Sequence, residues 1–337
     1  MIQNEEWLSQ ATQQRVKPFH SHPPQLTAIL KGGSDRSFHR AQNAENLSCI
    51  VMHYSKEKEE NHYYVEIGSF LKDLGIPVPE IIDHDPERRL VWLEDLGAVD
   101  LYSMREWPWE ERKKGYQLAL KAARHLHDQG LSAIQDRSVR LMPGFDETLY
   151  AWERNYFLIQ FVEGLAGVHP TSEHLIGLED ELQSLAVRLC EETPCLVHRD
   201  FQSQNIMIRD DKAFLIDFQG MRIGNRFYDL GSLLFDPYVG FEESQQLELL
   251  HFYDSLGESG DWDSFLTSFY EASINRLMQA LGAYGFLSRH KGKTHFLQHV
   301  PSGLKNLKIA ATRAGSVPLL LKLIDACLDK PLSKATE

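Results

Sequence analysis

Residues 196–219 read LVHRDFQSQNIMIRDDKAFLIDFQ, and this stretch decides how the rest of the chain is interpreted. Asp200, Asn205 and Asp217 stand between apolar runs that are typical of short strands. Carboxylates and carboxamides near strand ends often form turns. They also supply the oxygen ligands that Mg²⁺ prefers and the bases that accept a proton from a hydroxyl. The stretch therefore predicts either turns or the base and metal site of an enzyme that transfers phosphoryl groups.

The combined pattern is more specific than its parts. An isolated H-x-D is common, and an Asp followed by an Asn often marks a turn. In the kinase arrangement, a base opens the catalytic loop, an Asn about five residues later holds metal, and an Asp at the next strand-turn completes the metal site. The series from His198 through Asp200, Asn205 and Asp217 has these intervals, with apolar runs between them. The pattern therefore favours phosphoryl transfer.

The composition limits the partners of the chain, which has 337 residues and a formal net charge of −13. Since nucleic acids and anionic membranes are polyanions, we expect neither as a partner. No apolar run approaches the ~20 residues that span a bilayer, and the opening MIQNEEWLSQ is no signal peptide. The four cysteines form no Cys-x-x-Cys pair, so we expect reduced thiols in a cytoplasmic protein. The oligomeric state stays open.

The secondary-structure signals divide the chain into two lobes. Residues 1–95 read mostly as strands with one amphipathic helix at 57–74, which predicts a small N-lobe. Residues 96–337 are dominated by helical patterns, which predicts a larger C-lobe. The expected fold class is α+β, with a ligand cleft between unlike lobes. Helices of the C-lobe are predicted at 108–129, 146–163, 171–192, 226–235, 242–256, 260–287 and 303–328.

Five segments occur in the order and spacing of a known family. They are GGSDRSFHR (32–40), VWLEDLG (91–97), FDETLYAWERNYFL (145–158), HRDFQSQNIMI (198–208) and FLIDFQGMRIGNRFYDLGSLLFD (214–236). By these segments the chain resembles the aminoglycoside-phosphotransferase-like branch of the protein-kinase fold. Within that branch it is most similar to the bacterial cell-wall sugar kinases that phosphorylate the anomeric hydroxyl of N-acetylmuramate and N-acetylglucosamine. The C-terminal hundred residues resemble the family only in being mainly helical.

The resemblance implies a two-lobe protein-kinase-like fold and an ATP-dependent, Mg²⁺-using kinase that acts on a sugar in cell-wall salvage. It implies that Asp200 is the catalytic base and that Asn205 and Asp217 hold Mg²⁺. His198 is expected to pack beneath the loop. Asp229 resembles the buried Asp that braces the catalytic loop through backbone amides, and a first-turn helix carboxylate is the alternative.

The nucleotide site is predicted in the N-lobe and at the hinge. Glycines let backbone amides approach phosphate oxygens, although GGSD is also a good hairpin turn. The strand at 49–53 lacks the Lys that pairs with phosphates in protein kinases, which leaves Glu66 on the following helix without that partner. Arg36 and Arg40 are the candidates for the missing cation, ahead of Lys56. The residues predicted to bind the nucleotide are Gly33, Ser34, Asp35, Arg36, Arg40, Glu94 and Leu96.

The acceptor site has a weaker signal. The candidates are two glutamines beside the base and the metal Asp, and three residues on a helix that resembles the acceptor-side insertion of the family: Gln202, Gln219, Trp152, Glu153 and Asn155. Alternatively, Trp152 is a helix packing residue, and Glu153 and Arg154 form an exposed helix face.

Two further functions stay open. The first is phosphorylation of an aminoglycoside or another small alcohol; the acidic net charge of the protein would suit a cationic drug such as an aminoglycoside. A pseudokinase-like module that binds a nucleotide without turnover is the other; the missing Lys favours it, while the complete set of Asp200, Asn205 and Asp217 opposes it. A protein kinase is disfavoured because Asp229 follows Asp217 so closely that no activation segment ending in A-P-E can intervene.

Overall fold

A five-stranded antiparallel sheet organises the first part of the chain. The computed structural model of the protein describes residues 2–29, 36–135, 137–257 and 260–330, and only the backbone of 2–4. The strands follow one another in space in the order β1-β2-β3-β5-β4. They are β1 (Gln25–Ile29), β2 (Ser37–Gln42), β3 (Ser48–His53), β4 (Ile81–Asp85) and β5 (Leu90–Glu94).

Side chains alternate along a strand, so each strand has residues on both faces of the sheet. One helix covers each face. Val51 and Trp92 are buried in a cluster with residues of α1 (Ile2–Arg15). Met52, one position along β3, is buried in a second cluster with residues of α2 (Tyr64–Asp73). The second cluster continues into the helical part of the protein, so the sheet and the helices share a core.

The remainder of the chain is mainly helical, which confirms the predicted α+β class. Its helices are α3 (Trp109–Gln135), α4 (Glu147–Tyr156), α5 (Ser172–Glu191), α6 (Arg226–Leu234), α7 (Glu243–Asp254), α8 (Trp262–His290), α9 (Val300–Ala314) and α10 (Pro318–Leu328), with a π-helical segment Phe157–Glu163 after α4. The single helix predicted at 303–328 is wrong. Gly315 ends α9 with a φ of 69°, and Pro318 begins α10 at a position where its missing N–H costs nothing.

Four short strands frame the stretch 196–219. β6 (Pro194–Val197) pairs with β9 (Arg222–Asn225), and β7 (Ile206–Arg209) pairs with β8 (Lys212–Leu215), both antiparallel. Asp210 and Asp211 join β7 to β8 with φ values of 50° and 55°, as a tight hairpin turn requires. The loop between β6 and β7 and the residues after β8 are therefore brought to neighbouring positions.

Three further predictions can be compared with this architecture. Within the described ranges, no helix has the length and apolar character needed to cross a bilayer. The four cysteines are free thiols, and Cys190 is the exposed one. The division into lobes at 1–95 and 96–337 stays a prediction.

The hydrogen bond between Thr12 and Trp92 generates a stability prediction. Trp92 Nε1 donates to Thr12 Oγ1 over 2.9 Å, and both side chains are fully buried. Thr12→Val keeps the shape but leaves the indole N–H without its acceptor, so we expect a loss of about 1–3 kcal/mol in the free energy of unfolding, measured by denaturant titration. Thr312→Val removes an exposed helix hydrogen bond and should cost under about 0.5 kcal/mol. Equal losses in the two variants would contradict the role of Thr12.

Candidate active site

A buried carboxylate holds the start of the loop between β6 and β7. Asp229, in the first turn of α6, accepts the backbone N–H of His198 over 2.7 Å and that of Arg199 over 2.8 Å. It is fully buried and also lies 3.1 Å from Nε2 of His127. Arg199 has a φ of 75°, a conformation that costs a non-glycine residue free energy, and the two hydrogen bonds stabilise it.

A second buried carboxylate holds the other end of the loop. Asp236 follows α6 and accepts from both the backbone N–H of Ser203, over 2.8 Å, and its Oγ, over 2.6 Å. Burial raises the pKa of Asp236, and the hydrogen bonds from Ser203 oppose that shift. Sequence reasoning missed Asp236, although it follows Asp229 by only seven residues.

Asp200 presents a partly exposed carboxylate at the centre of this loop. Its side chain is 31% exposed, and its backbone oxygen accepts from Nδ2 of Asn205 over 2.9 Å. Nη1 of Arg199 lies 3.4 Å from Oδ2, and Nη2 of Arg276 lies 3.8 Å from Oδ1. Burial alone would raise the pKa of Asp200, but these guanidinium groups outweigh it and hold the pKa below its ordinary value. The carboxylate is therefore ionised at neutral pH and able to accept a proton.

Asp217 follows β8 in a left-handed conformation, with a φ of 63°. Its Oδ1 accepts from Nε2 of Gln219 over 2.7 Å and pairs with the guanidinium of Arg36. His198 connects this turn to the loop, because its Nε2 lies 3.0 Å from the carbonyl oxygen of Ile216. A carbonyl only accepts, so the imidazole carries its proton on Nε2.

A cleft of about 340 Å³ lies between the sheet and the residues that follow β6. Its walls are apolar, and its polar end contains Arg36, Asn205 and Asp217. Apolar and aromatic side chains from both lobes line the cleft. They are Ile29, Phe38, Ile50, Tyr64, Leu93, Leu96, Met207 and Ile216. An apolar slot with a few convergent polar groups is the usual form of a small-molecule site.

The polar end of the cleft suits a Mg²⁺ ion. Asn205 commits its Nδ2 to the loop, which leaves the carboxamide oxygen as its ligand atom, and Asp217 adds a carboxylate that already neutralises a guanidinium. Among the described residues, no group of three or more His, Cys, Asp or Glu side chains could hold a metal. Two oxygen ligands from the protein, completed by phosphate and water, match the preference of Mg²⁺ rather than of a metal that needs a protein cage.

The residues predicted to bind the nucleotide have different surroundings. Gly33, Ser34 and Asp35 lie outside the described residues. Arg36 and Arg40 both line the cleft, but Arg40 forms a bidentate pair with Asp95 over 2.6 and 3.0 Å. Lys56 is exposed.

At the hinge, Glu94 and Leu96 both line the cleft. The Glu94 side chain pairs with Arg209 and accepts the backbone N–H of Glu80 over 3.1 Å. Glu66, on α2, accepts from the backbone N–H and Nε of Arg140, at 2.5 and 2.8 Å. In this chain the partner of Glu66 is therefore Arg140.

The predicted acceptor residues differ in how far they are exposed to solvent. Gln202 is half-buried, and Gln219 is buried with its Oε1 lacking a hydrogen-bond partner among the described residues. Asn155 is exposed, and Trp152 is 53% exposed and stacks on the ring of Tyr156 in the same helix.

Glu153 is buried rather than exposed. The alternative interpretation of Glu153 and Arg154 as an exposed face is wrong, because they are 1% and 2% exposed. Glu153 Oε2 accepts from Nδ2 of Asn275 over 2.6 Å, and Oε1 accepts from the Tyr228 hydroxyl over 3.1 Å. Burial raises the pKa of Glu153 to about 7 in spite of the lowering by nearby arginines.

Three buried or half-buried arginines surround Asp200, and sequence reasoning missed them. Arg199 and Arg276 approach its carboxylate, and Arg222 of β9 also lowers its pKa. The anions facing this group are Asp200 itself, Glu153 and Glu60, which lies 3.9 Å from Arg199. The polar pair Asn275-Arg276 inside the apolar run of α8 was the signal that could have revealed part of this cluster.

The burial of Glu153 generates a prediction about pH. Because its folded-state pKa of about 7 lies above the ordinary 4.5, the stability from the protonated group is fully present below pH 4.5 and is lost as pH rises through 7. That pKa difference corresponds to roughly 3 kcal/mol at most. We expect the free energy of unfolding of wild type, relative to Glu153→Gln, to fall by up to that amount between pH 4.5 and 8. A difference that does not vary with pH, measured by denaturant titrations, would contradict the assignment.

Comparison with known proteins supports the two-lobe arrangement. A choline/ethanolamine kinase family protein from Mesorhizobium loti has a TM-score of 0.66 to this chain at 13% identity, with 97% of this chain and 99% of that chain covered. The aminoglycoside phosphotransferase APH(2'')-Ib, in an ADP-bound structure, has a TM-score of 0.59 at 15% identity, with 90% and 97% covered. These likenesses confirm the predicted protein-kinase-like fold.

Sequence comparison identifies the family. The N-acetylmuramate/N-acetylglucosamine kinase of Pseudomonas aeruginosa is 24% identical over 309 residues, which cover 90% of this chain and 88% of the relative. The model of the phosphotransferase enzyme family matches residues 25–265, well over half of the chain. The protein therefore belongs to the phosphotransferase enzyme family.

Proposed function

We propose that the protein is a Mg²⁺-dependent kinase that transfers the γ-phosphate of ATP to the anomeric hydroxyl of N-acetylmuramate or N-acetylglucosamine. The single observation that carries the proposal is the Asp200 carboxylate, ionised and partly exposed, on a loop whose Asn205 lines the same cleft as Asp217. The name of the Pseudomonas aeruginosa relative supports the choice of sugar. We also propose a cytoplasmic location, where ATP is available.

Asp200 acts as the general base in this proposal. One of its oxygens accepts a hydrogen bond from the acceptor hydroxyl and takes the proton as the hydroxyl oxygen attacks the γ-phosphorus. The bond between that phosphorus and the oxygen of the ADP leaving group breaks, and the proton remains on Asp200 until solvent removes it. Since guanidinium groups lower the pKa of the carboxyl group, the base is available throughout the neutral pH range.

The nucleotide is proposed to lie in the apolar cleft, with its phosphates at the polar end. Asn205 and Asp217 would hold Mg²⁺, which when bound neutralises charge on the phosphate oxygens. Arg36 is the proposed replacement for the missing Lys of β3. Its side chain is 5% exposed and pairs with Asp217; burial alone would lower the pKa of Arg36, but that carboxylate raises it above the ordinary value. In this proposal Arg36 supplies a permanent positive charge to the phosphate oxygens.

The charges around Asp200 give a cationic acceptor no advantage. Arg199, Arg222 and Arg276 face three carboxylates, those of Asp200, Glu153 and Glu60, so positive and negative groups are matched there. The acidity of the protein as a whole, which would suit a cationic aminoglycoside, is therefore not concentrated at this loop. Gln219 Oε1, buried and unpaired among the described residues, is a proposed acceptor for a sugar hydroxyl.

Replacement of the base tests the reaction type. We expect Asp200→Asn to lower kcat by roughly 10²–10⁴-fold, the range for a positioned base, with little change in the Kd for MgATP measured by calorimetry. Asp210→Asn is the matched control, since Asp210 lies in the exposed β7–β8 turn and Asn tolerates its positive φ. Wild-type turnover in Asp200→Asn would exclude the proposed base, and loss of activity in Asp210→Asn would point to a general folding defect.

Blocked sugars test which hydroxyl is phosphorylated. An anomeric kinase consumes a free reducing sugar and gives an acid-labile 1-phosphate without a reducing end. We expect turnover with N-acetylmuramate or N-acetylglucosamine and none with their methyl glycosides, measured as ATP consumption and loss of reducing ends. Phosphorylation of a methyl glycoside would exclude the anomeric assignment and leave the kinase assignment intact. A clear preference for kanamycin would support the aminoglycoside alternative instead, and no ATP consumption with any acceptor would support the pseudokinase-like alternative.

A further inference from the structure

Arg276 reaches the catalytic loop from a part of the chain that no family segment covers. It lies on α8, beyond the matched residues 25–265. Its side chain is 4% exposed, and its Nη2 lies 3.8 Å from Oδ1 of Asp200. Arginines are seldom buried unless nearby groups compensate the charge, because removing that charge from water is costly.

Two hydrogen bonds aim the guanidinium of Arg276 at Asp200. Nε donates over 3.0 Å to Oγ of Ser232, a buried residue of α6. Nη1 donates over 2.6 Å to Oε1 of Gln279, almost one turn further along α8. Because the guanidinium is planar and rigid, fixing these two nitrogens also fixes the direction of Nη2. Ser232 lies three residues after Asp229, so α6 holds both the backbone of the loop and the arginine that faces it.

The separation of 3.8 Å between Arg276 and Asp200 is informative. It exceeds the range of a hydrogen bond, so the charge attracts the carboxylate without occupying a lone pair of Oδ1. Arg199 approaches the other oxygen, Oδ2, over 3.4 Å. The carboxylate is thus held between two cations, while its partly exposed edge remains open to an acceptor hydroxyl.

We infer that Arg276 is a positioning residue for phosphoryl transfer: aimed by Ser232 and Gln279, it fixes the orientation of the Asp200 carboxylate toward the acceptor hydroxyl. The inference rests on the proposed role of Asp200 as the base. Arg276 does not line the nucleotide cleft, so it acts on the step that involves the acceptor and not on nucleotide binding.

Arg276→Met is the first test. We expect kcat to fall by about 10–100-fold, because a misplaced catalytic group can cost about 10²-fold in rate, while the Kd for MgATP from calorimetry stays within about twofold. Arg276→Lys keeps the charge but cannot make the same fixed set of hydrogen bonds, so it should recover part of the rate. The matched control is Arg188→Met, since Arg188 of α5 binds Glu271 of α8 over 2.7–3.1 Å and anchors the same helix without touching Asp200. This control should keep the wild-type kcat.

Two further measurements keep the test decisive if Arg276→Met does not fold. Ser232→Ala removes one aiming hydrogen bond and no charge, and it should lower kcat several-fold at an unchanged Kd for MgATP. Added guanidinium ions at millimolar concentration should restore activity to Arg276→Ala and leave Arg188→Ala unaffected.

The outcomes separate this inference from the proposed function. If Asp200→Asn is inactive while the Arg276 and Ser232 variants keep wild-type kcat, Arg276 has no positioning role and the proposed base stands. If Asp200→Asn keeps wild-type turnover, the proposed base fails and the inference fails with it. A loss of thermal stability in Arg276→Met without a change in kcat per folded molecule would likewise overturn the inference.

Discussion

The site depends on one pair of hydrogen bonds. The backbone amides of His198 and Arg199 donate them to the buried carboxylate of Asp229. A fully buried carboxylate is costly unless donors satisfy it, and hydrogen bonds to a charged group contribute about 1.5–3 kcal/mol each. The first turn of α6 adds the favourable end of the helix dipole. Together these compensate the positive φ of Arg199, the residue directly before Asp200.

One helix therefore determines the position of most of the loop. Asp229 holds its first residues, and Asp236, just after the helix, holds Ser203. Ser232, on the helix itself, holds the guanidinium of Arg276. Because Asp229 and Ser232 project from one rigid helix and Asp236 follows it directly, the loop, the proposed base Asp200 and Arg276 keep a fixed relation. Such preorganisation lowers the barrier more effectively than groups that must reorganise during the reaction.

The sequence was most informative where function is encoded locally. The spacing of Asp200, Asn205 and Asp217 predicted a loop, a short strand and a second turn, because strand–turn signals act over a few residues. Asp236 and Arg276 could not be assigned this way, since their partners are 33 and 76 residues distant and only tertiary packing brings them together. Glu153 was ambiguous for the same reason: a charged residue on a helix is usually exposed, and only the donors Tyr228 and Asn275 make its burial tolerable. The break at Gly315, by contrast, was readable and was overlooked.

The positions of the charged residues also explain how the site can lack a Lys on β3. A lysine on that strand needs a glutamate on α2, and here Glu66 is engaged by Arg140. Cations reach the site from elsewhere: Arg36, just before β2, pairs with Asp217, and Arg276, on α8, faces Asp200. Each arginine is buried beside a carboxylate, which compensates part of the cost of removing its charge from water. The two arginines are far apart in the sequence, and only the tertiary fold brings each of them beside its carboxylate.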